Sequence, residues 1–405
     1  MPNSILTPSV IAKEALIQLE NNLVMGNLVH RDYKKEFAKV GDTVTIRRPV
    51  QFQASDGASR VNQDVTEGNT SIVINSRKHV SWGFSTQDLT LSIEEYSERY
   101  INPAMIALGN QVDSDLCGLY SDVYNFVGTP GTVPSTFAEL GGAGQLLDEM
   151  AVPKDKRNAV HNPATAWKLA DGLKGVFVQD KARGAFEEAK IGRYAGFDNY
   201  MDQNVKVHTN GARGGTPLVN GGSQAVTYAN VKSTMTQSLV TDGWSNSITG
   251  VVKKGDVFTI ANVFAVNPMS KQSTGQLQNF VVVADANSDG SGNATITIAP
   301  AIITSGAYQT VTAAPADNAA MTFKSGTAST GYGQNLTFHK NAFALVMVPL
   351  EMPDGAAFKA REQYKGLSAR VVKDYDIDAD TDVIRIDILY GTKTLDPRLA
   401  CRLTA

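Results

Sequence analysis

The residues best spaced for chemistry are Asp285, Asn287, Asp289 and Gly290. Their alternate spacing matches the opening of a calcium loop, where side-chain oxygens converge on the ion and glycine permits the sharp turn. The closing glutamate is missing: its place falls on Ile296, inside an alternating apolar stretch. The segment is therefore expected to be a tight turn between strands, built from residues that tolerate positive φ.

A second acidic group, Asp374, Asp376, Asp378, Asp380 and Asp382, falls in an expected loop ahead of a strand. Such runs usually form a solvated face, with a cation site or an acidic subunit contact as the other reading. Glu94-Glu95 and Glu187-Glu188 sit in expected helices and read as solvated faces too. The five histidines, His30, His79, His161, His208 and His339, are far apart and lack metal-ligand spacing. Cys117 and Cys401 have no CxxC spacing and are too few for a disulfide framework, so they read as inert thiols in a reducing compartment. No G-x-S-x-G elbow and no phosphate-binding GxxxxGK loop occurs. With no convergent titratable constellation, neither catalysis, nor a metal, nor a cofactor is expected.

The scaffold that would have to position such groups is large. At 405 residues the chain exceeds what one hydrophobic core usually serves, so two or three domains are expected. It is 42% hydrophobic and 19% charged with a net charge of −3, which argues against a protein whose main task is gripping phosphates. Met1–Val10 lacks a basic patch followed by an apolar run, so no signal peptide is expected, and no apolar stretch approaches membrane-spanning length.

Thr7-Pro8 reads as an N-cap with proline at the first helical position, followed by Ile11, Ala15, Leu16, Leu19 and Leu23 at helical spacing. The apolar stripe of such a terminal arm needs a partner surface, which arms often find on a neighbouring subunit. Val40–Pro49 and Ser71–Val80 alternate as strands, and the polar stretch between them, Gln51–Thr70, cannot pack a core of its own. Ser92 to Glu95 fits a capping box and Asn102-Pro103 a second helix start; Met105, Leu108, Val112, Leu116, Leu119 and Val123 then predict one long helix bent near Pro103. Helices are expected over Ser135–Met150, Pro163–Gly172 and Gln179–Lys190, with a strand at Asn158–His161. From His208 to about Lys340 charge thins and Gly, Thr, Ser, Asn and Val alternate, which predicts a small β barrel inserted into an α+β domain. Val257–Ile260, Phe280–Val283 and Thr295–Ile298 are three of its strands, and Asp382–Tyr390 is a strong strand beyond it.

The string Ile191-Gly-Arg-Tyr-Ala-Gly-Phe-Asp-Asn-Tyr200 resembles the I-G-x-x-A-G-F-x-x-Y segment of major capsid proteins of tailed double-stranded-DNA phages with the Hong Kong 97-type fold. Its glycines suggest a turn into a strand, with Phe197 and Tyr200 as core anchors. The order of elements around it is similar as well, and the β insert resembles that of the P22-like branch. The resemblance implies an N-terminal arm (1–39), strands with an extended loop (40–80), a spine helix with a peripheral sheet (81–134 and 367–405), an axial domain (135–207 and 341–366) and the inserted β domain (208–340).

The function so implied is non-enzymatic self-assembly into an icosahedral shell around phage DNA. Hexamers and pentamers of the chain would be joined by a scaffolding protein and a portal, assembled in host cytoplasm and carried in the virion, with weak DNA contact and no membrane. An encapsulin-like compartment shell and a tail-associated or carbohydrate-binding β protein are the alternatives. The family's founding member crosslinks a lysine of the extended loop, yet Pro49–Arg77 contains no lysine, so a non-covalent shell is expected. Arg47, Arg48, Arg60 and Arg77, with Asp56, Asp64 and Glu67, are the candidate inter-subunit contacts, each exposed pair contributing roughly 0 to 1 kcal/mol.

Overall fold

The computed structural model describes residues 8–31, 43–54, 57–60, 62–63, 66–85, 97–172, 191–356, 358–378 and 381–404. The capping box at 92–95, the helix expected at 179–190 with Glu187 and Glu188, and Thr7, Asp56, Asp64 and Asp380 lie outside them. The chain divides into two compact units. One comprises Met1–Thr45, Ser71–Leu116 and Phe343–Lys393; the other comprises Ile46–Thr70, Cys117–Ala342 and Thr394–Ala405.

The first unit is built on a five-stranded sheet: β3 (Ser76–Ser85), β16 (Phe343–Met347), β17 (Phe358–Tyr364), β18 (Leu367–Asp376) and β19 (Thr381–Thr394). β19 pairs with both β3 and β18. Helix α1 (Pro8–Asn22) packs against β17 and β18, burying Ile11, Ala15, Leu16 and Leu19. The stripe thus finds its partner in its own chain, correcting the expectation of a neighbouring subunit. Ile11, Leu16 and Leu19, taken out of water, contribute about 1.5 to 3 kcal/mol each. A π-helical turn, Ser97–Ile101, runs straight into α2 (Asn102–Cys117). Asn102 is therefore within the helical run rather than its N-cap. Pro103 lacks an N–H and its ring crowds the carbonyl four residues back, which the wider π turn relieves.

The second unit holds two sheets. In the seven-stranded one, β4 (Phe126–Val127), β20 (Ala400–Thr404), β15 (Gly331–His339), β5 (Arg157–His161), β7 (Phe197–Met201) and β6 (Arg193–Tyr194) follow in that order, with β8 (Val207–Thr209) also on β15. Helices α3 (Phe137–Glu149) and α4 (Pro163–Gly172) cover it, and Leu140, Ala143, Leu147 and Leu169 meet Ala159, Phe197, Cys401 and Leu403 in one core. The cap of α3 is Thr136, in a reciprocal box with Glu139, one residue past the expected Ser135.

The other sheet has the order β14 (Met321–Phe323), β11 (Val257–Val266), β12 (Ser273–Val282), β13 (Ala294–Ala299), β10 (Gln237–Trp244) and β9 (Gly215–Val219). Its two edges meet where Val219 N donates to Ala319 O at 3.0 Å, making a nearly closed barrel. Leu239, Trp244, Phe258, Ile260, Phe280, Ile296 and Ile298 fill the interior. Strands β1 (Thr43–Arg47) and β2 (Asn69–Val73) form a separate two-stranded sheet.

Candidate assembly surface

The chain joining β1 to β2 is closed at its base by Arg48 N, which donates to Gly68 O at 2.8 Å. Arg47 and Glu67, both exposed, form an ion pair of 3.2 Å beside that closure. Farther out, Gln53 N donates to Gln63 Oε1 at 2.9 Å and Gln63 Nε2 returns a bond to Gln53 O. Phe52 stays 65% exposed.

The base rests on the barrel insert. Gln51 N donates to the Tyr308 hydroxyl at 3.1 Å, Tyr308 stacks on Tyr228 with ring centroids 3.5 Å apart, and Gly68 Cα lies so close to the Lys232 carbonyl that a Cβ would collide with it. Burial, with the bond to Tyr308, pushes Tyr228 up to about 12. Arg48 is half-buried here, and its Nε has no hydrogen-bond partner. Burial draws its pKa down, opposed by the charge of Asp396, which is itself held by a two-pronged contact with Arg398 at 2.6 Å.

The candidate contacts therefore have different settings. Arg47 and Glu67 pair within one chain; Arg48 belongs to the loop base; Arg60 is exposed; Asp64 lies outside the described residues. Arg77 belongs to the other unit, 3.6 Å from the buried carboxylate of Asp387. Burial works against that charge, but bonds from Arg370 (2.6 Å) and Arg385 (2.7 Å) hold Asp387 below the usual carboxylate range.

A polar cluster that sequence spacing did not reveal centres on Asp256. Its Oδ1 receives His208 Nε2 at 3.0 Å and Arg213 Nη2 at 2.9 Å, and its Oδ2 accepts from Lys253 N at 3.0 Å and Gly211 N at 3.1 Å. His208 Nδ1 lies 3.1 Å from the Tyr120 hydroxyl. Although burial opposes ionisation, the His208 bond and the Arg213 charge keep Asp256 below its ordinary pKa. Both oxygens are saturated by donors, so the carboxylate ties chain segments together rather than offering a reactive group. The residues come from three distant stretches of chain, and only Gly255-Asp256, a turn before β11, carried any local signal.

The calcium-like segment is a turn, as its composition implies. Asp289 Oδ1 accepts from Ser291 N and Asn293 N, each at 2.8 Å, while Asp285 and Asn287 accept from Lys254 N and Gly250 N. The second acidic group is not a loop ahead of a strand. β18 continues through Asp374 to Asp376 and β19 begins at Thr381, so Asp374, Asp376 and Asp382 lie in the paired strands at one end of a hairpin. Within Ile191–Tyr200, β6 and β7 form a hairpin whose central residues, Ala195 and Gly196, both have positive φ (50° and 84°). That combination defines a type I′ turn. Phe197 is buried, but Tyr200 is 41% exposed and is not a core anchor.

The family model described as "P22 coat protein - gene protein 5" matches residues 3–403. The chain belongs to the P22 coat protein family. A major capsid protein of Acyrthosiphon pisum secondary endosymbiont phage 1 is 23% identical over 382 residues, spanning 89% of this chain and 88% of its own. A solved structure from Mycobacterium phage Che8 is similar over 94% of this chain and 90% of that one, with 14% identity and a TM-score of 0.49. The CUS-3 coat protein I-domain is 28% identical, covering 29% of this chain and 100% of its own at a TM-score of 0.20. The protein is thus a phage major capsid protein, and copies of it form an icosahedral shell. It is α+β with an inserted, nearly closed barrel-like sheet, the architecture that the sequence resemblance implied. The coat protein family displaces the alternatives of a compartment shell and a carbohydrate-binding β protein.

Proposed function

We propose that this coat protein encloses a double-stranded DNA genome in a non-covalent shell and catalyses no reaction. In this reading the extended loop within 40–80 and the peripheral domain (81–134 and 367–405) reach neighbouring copies, while helix α1 of the arm (1–39) stays on its own subunit. The axial domain (135–207 and 341–366) surrounds the axes of hexamers and pentamers, and the insert (208–340) braces the loop base. A scaffolding protein and a portal act during assembly in host cytoplasm. Contact with DNA is weak, because a net charge of −3 offers no surplus of cations to release counterions.

The observation that carries this reading is the segment between β1 and β2, polar, tied at its base and through Gln53–Gln63, and presenting Phe52 65% exposed. A stretch of this length with no core of its own inside a compact chain marks a binding element. The absence of lysine from Pro49–Arg77 favours contacts without crosslinks. Arg47, Arg48, Arg60, Asp64, Glu67 and Arg77 remain the proposed contacts. Arg47 and Arg77 already have partners in their own chain, so re-pairing across subunits exchanges one ion pair for another and contributes roughly 0 to 1 kcal/mol each.

The test is co-expression with a candidate scaffolding protein, negative-stain imaging, nuclease protection of packaged DNA, and denaturing electrophoresis. Closed shells of uniform size that dissolve to single chains are expected. Monomers and small oligomers alone, or detergent-resistant ladders, would overturn the proposal.

A further inference from the structure

The charged groups at the base of the extended segment are unevenly matched. Arg47 pairs with Glu67, and Asp396 is committed to Arg398, whose Nε lies 3.0 and 3.1 Å from its two oxygens and whose Nη2 lies 2.6 Å from one of them. Arg48 has no such partner. Its Nε is buried without a hydrogen bond, and its guanidinium forms no ion pair among the described residues. A cationic donor drawn out of water without a partner costs free energy that an incoming acceptor recovers.

Lys271, in the turn between β11 and β12, is in a similar position. Its ammonium donates to the Ala307 carbonyl, and burial together with the charge of Arg398 draws its pKa below the ordinary value. The Gln51 amide links these groups. Oriented so that both its ends are satisfied, it donates to the same Ala307 carbonyl at 3.0 Å and accepts from Arg398 Nη1 at 2.6 Å. Arg48 stands three residues before Gln51; burial lowers its pKa, and the charges of Asp396 and Arg398 also act on it. Three cations therefore share one carboxylate, which Arg398 already occupies. Tyr228, kept protonated up to about 12 by burial, adds a hydroxyl and no charge.

The cluster is open to solvent. Arg48, Lys271 and Tyr228 are each half-buried, and the Arg398 side chain is 37% exposed. All of these residues belong to the second unit, yet they come from three separate stretches of chain: the base of the extended segment, the barrel insert and the turn before β20.

We propose that this cluster is a binding site for an oxyanion of the phosphate class, held by Arg48 and Lys271 with Arg398 as the supporting charge. A tetrahedral oxyanion suits it because several acceptor oxygens answer a guanidinium fork and an ammonium together, and its charge offsets the surplus of cations. Free phosphate and the phosphate of a nucleic acid backbone share that chemistry. The bound anion staples the extended segment to the insert within each subunit. The site goes beyond the shell reading and does not depend on it, because one soluble subunit carries all of it.

The test is hydrogen exchange and thermal melting of the soluble full-length subunit titrated with sodium phosphate, against sodium chloride at matched ionic strength. A ligand that binds only the closed loop base suppresses its opening by mass action. Phosphate at roughly ten times its half-saturating concentration is thus expected to slow exchange at the Arg48 and Gln51 amides about tenfold. Arg48→Gln and, separately, Lys271→Gln should each weaken phosphate binding by roughly fivefold or more while keeping the circular dichroism spectrum. If one variant does not fold, the other carries the comparison. No response in the wild type overturns the proposal. An equal response in wild type and variants overturns it too, because a kosmotropic salt stabilises any compact state without a site. A short double-stranded oligonucleotide forms the second arm. Protection by phosphate alone assigns the site to the free anion, protection by both extends it to backbone phosphates, and either result supports the proposal. Protection by an acidic peptide, with none by phosphate or duplex, would make Arg48 a protein-contact residue and overturn the oxyanion site.

Discussion

His208 Nε2 lies 3.0 Å from Asp256 Oδ1, joining two residues 48 positions apart, both buried, on either side of the barrel's first strands. Arg213 reaches the same oxygen, and two backbone amides hold the other. Removing one partner of such a pair leaves the other charge buried and unmatched, which costs about 3 to 5 kcal/mol. Asp256→Ala is expected to lose that amount in urea unfolding of the soluble subunit. His208→Gln, which keeps a donor, should lose less than half as much.

Asp113, buried on α2, accepts from Val24 N at 2.6 Å and Gly26 N at 2.8 Å. It satisfies amide groups that the turn after α1 leaves without backbone partners. A buried donor stripped of its acceptor costs about 1 to 3 kcal/mol. Asp113→Ala is expected to raise hydrogen exchange across residues 8–28 by about 5- to 150-fold, with exchange in the barrel unchanged.

Burial holds His161 down to about 4, from an ordinary value of 6.5. The unfolded chain therefore takes up a proton first as pH falls. The stability tied to neutral His161 is complete above pH 6.5 and is lost progressively down to about pH 4. The full window amounts to about 3 kcal/mol. Unfolding free energies measured between pH 7 and 4 should fall more steeply for wild type than for His161→Leu. Parallel slopes would mean that another group controls the acid limb.

These sites differ in how far the sequence announced them. The stripe of α1 was readable because one face of a helix repeats every three or four residues, and burying it needs no knowledge of the partner. β11, β13 and the hairpin at Ala195-Gly196 were readable from alternation and glycine. Tyr200 was misjudged because it follows Phe197 by three, and in a strand an odd spacing puts two side chains on opposite faces. β15 and β20 shared the texture of their surroundings, so nothing local revealed that they pair centrally in the seven-stranded sheet. Among the candidate arginines, Arg47, Arg60 and Arg77 are exposed and Arg48 half-buried, but Arg77's partner, Asp387, lay inside a run that reads as plain strand.

Gly68 is the point where the extended segment meets the Lys232 carbonyl without room for a Cβ. Gly68→Ala must displace either the loop base or the turn after Tyr228–Val231, a strain of about 1 to 3 kcal/mol. The variant is expected to keep a folded subunit by circular dichroism and to assemble more slowly than wild type in light scattering. Equal assembly rates would show that the loop base moves freely without affecting neighbours.

The two sheets of the second unit differ in how their strands are drawn from the chain. All six barrel strands lie in one stretch, 215–323, whereas the other sheet brings together residues near 126, 157, 334 and 402. A contiguous barrel can fold as soon as it leaves the ribosome, while the split sheet must wait for β20 to be synthesised. Until then, the edges of β15 and β4 that β20 will cover are open to other chains. The nascent coat protein is thus at its most aggregation-prone late in translation, where a chaperone would protect it most.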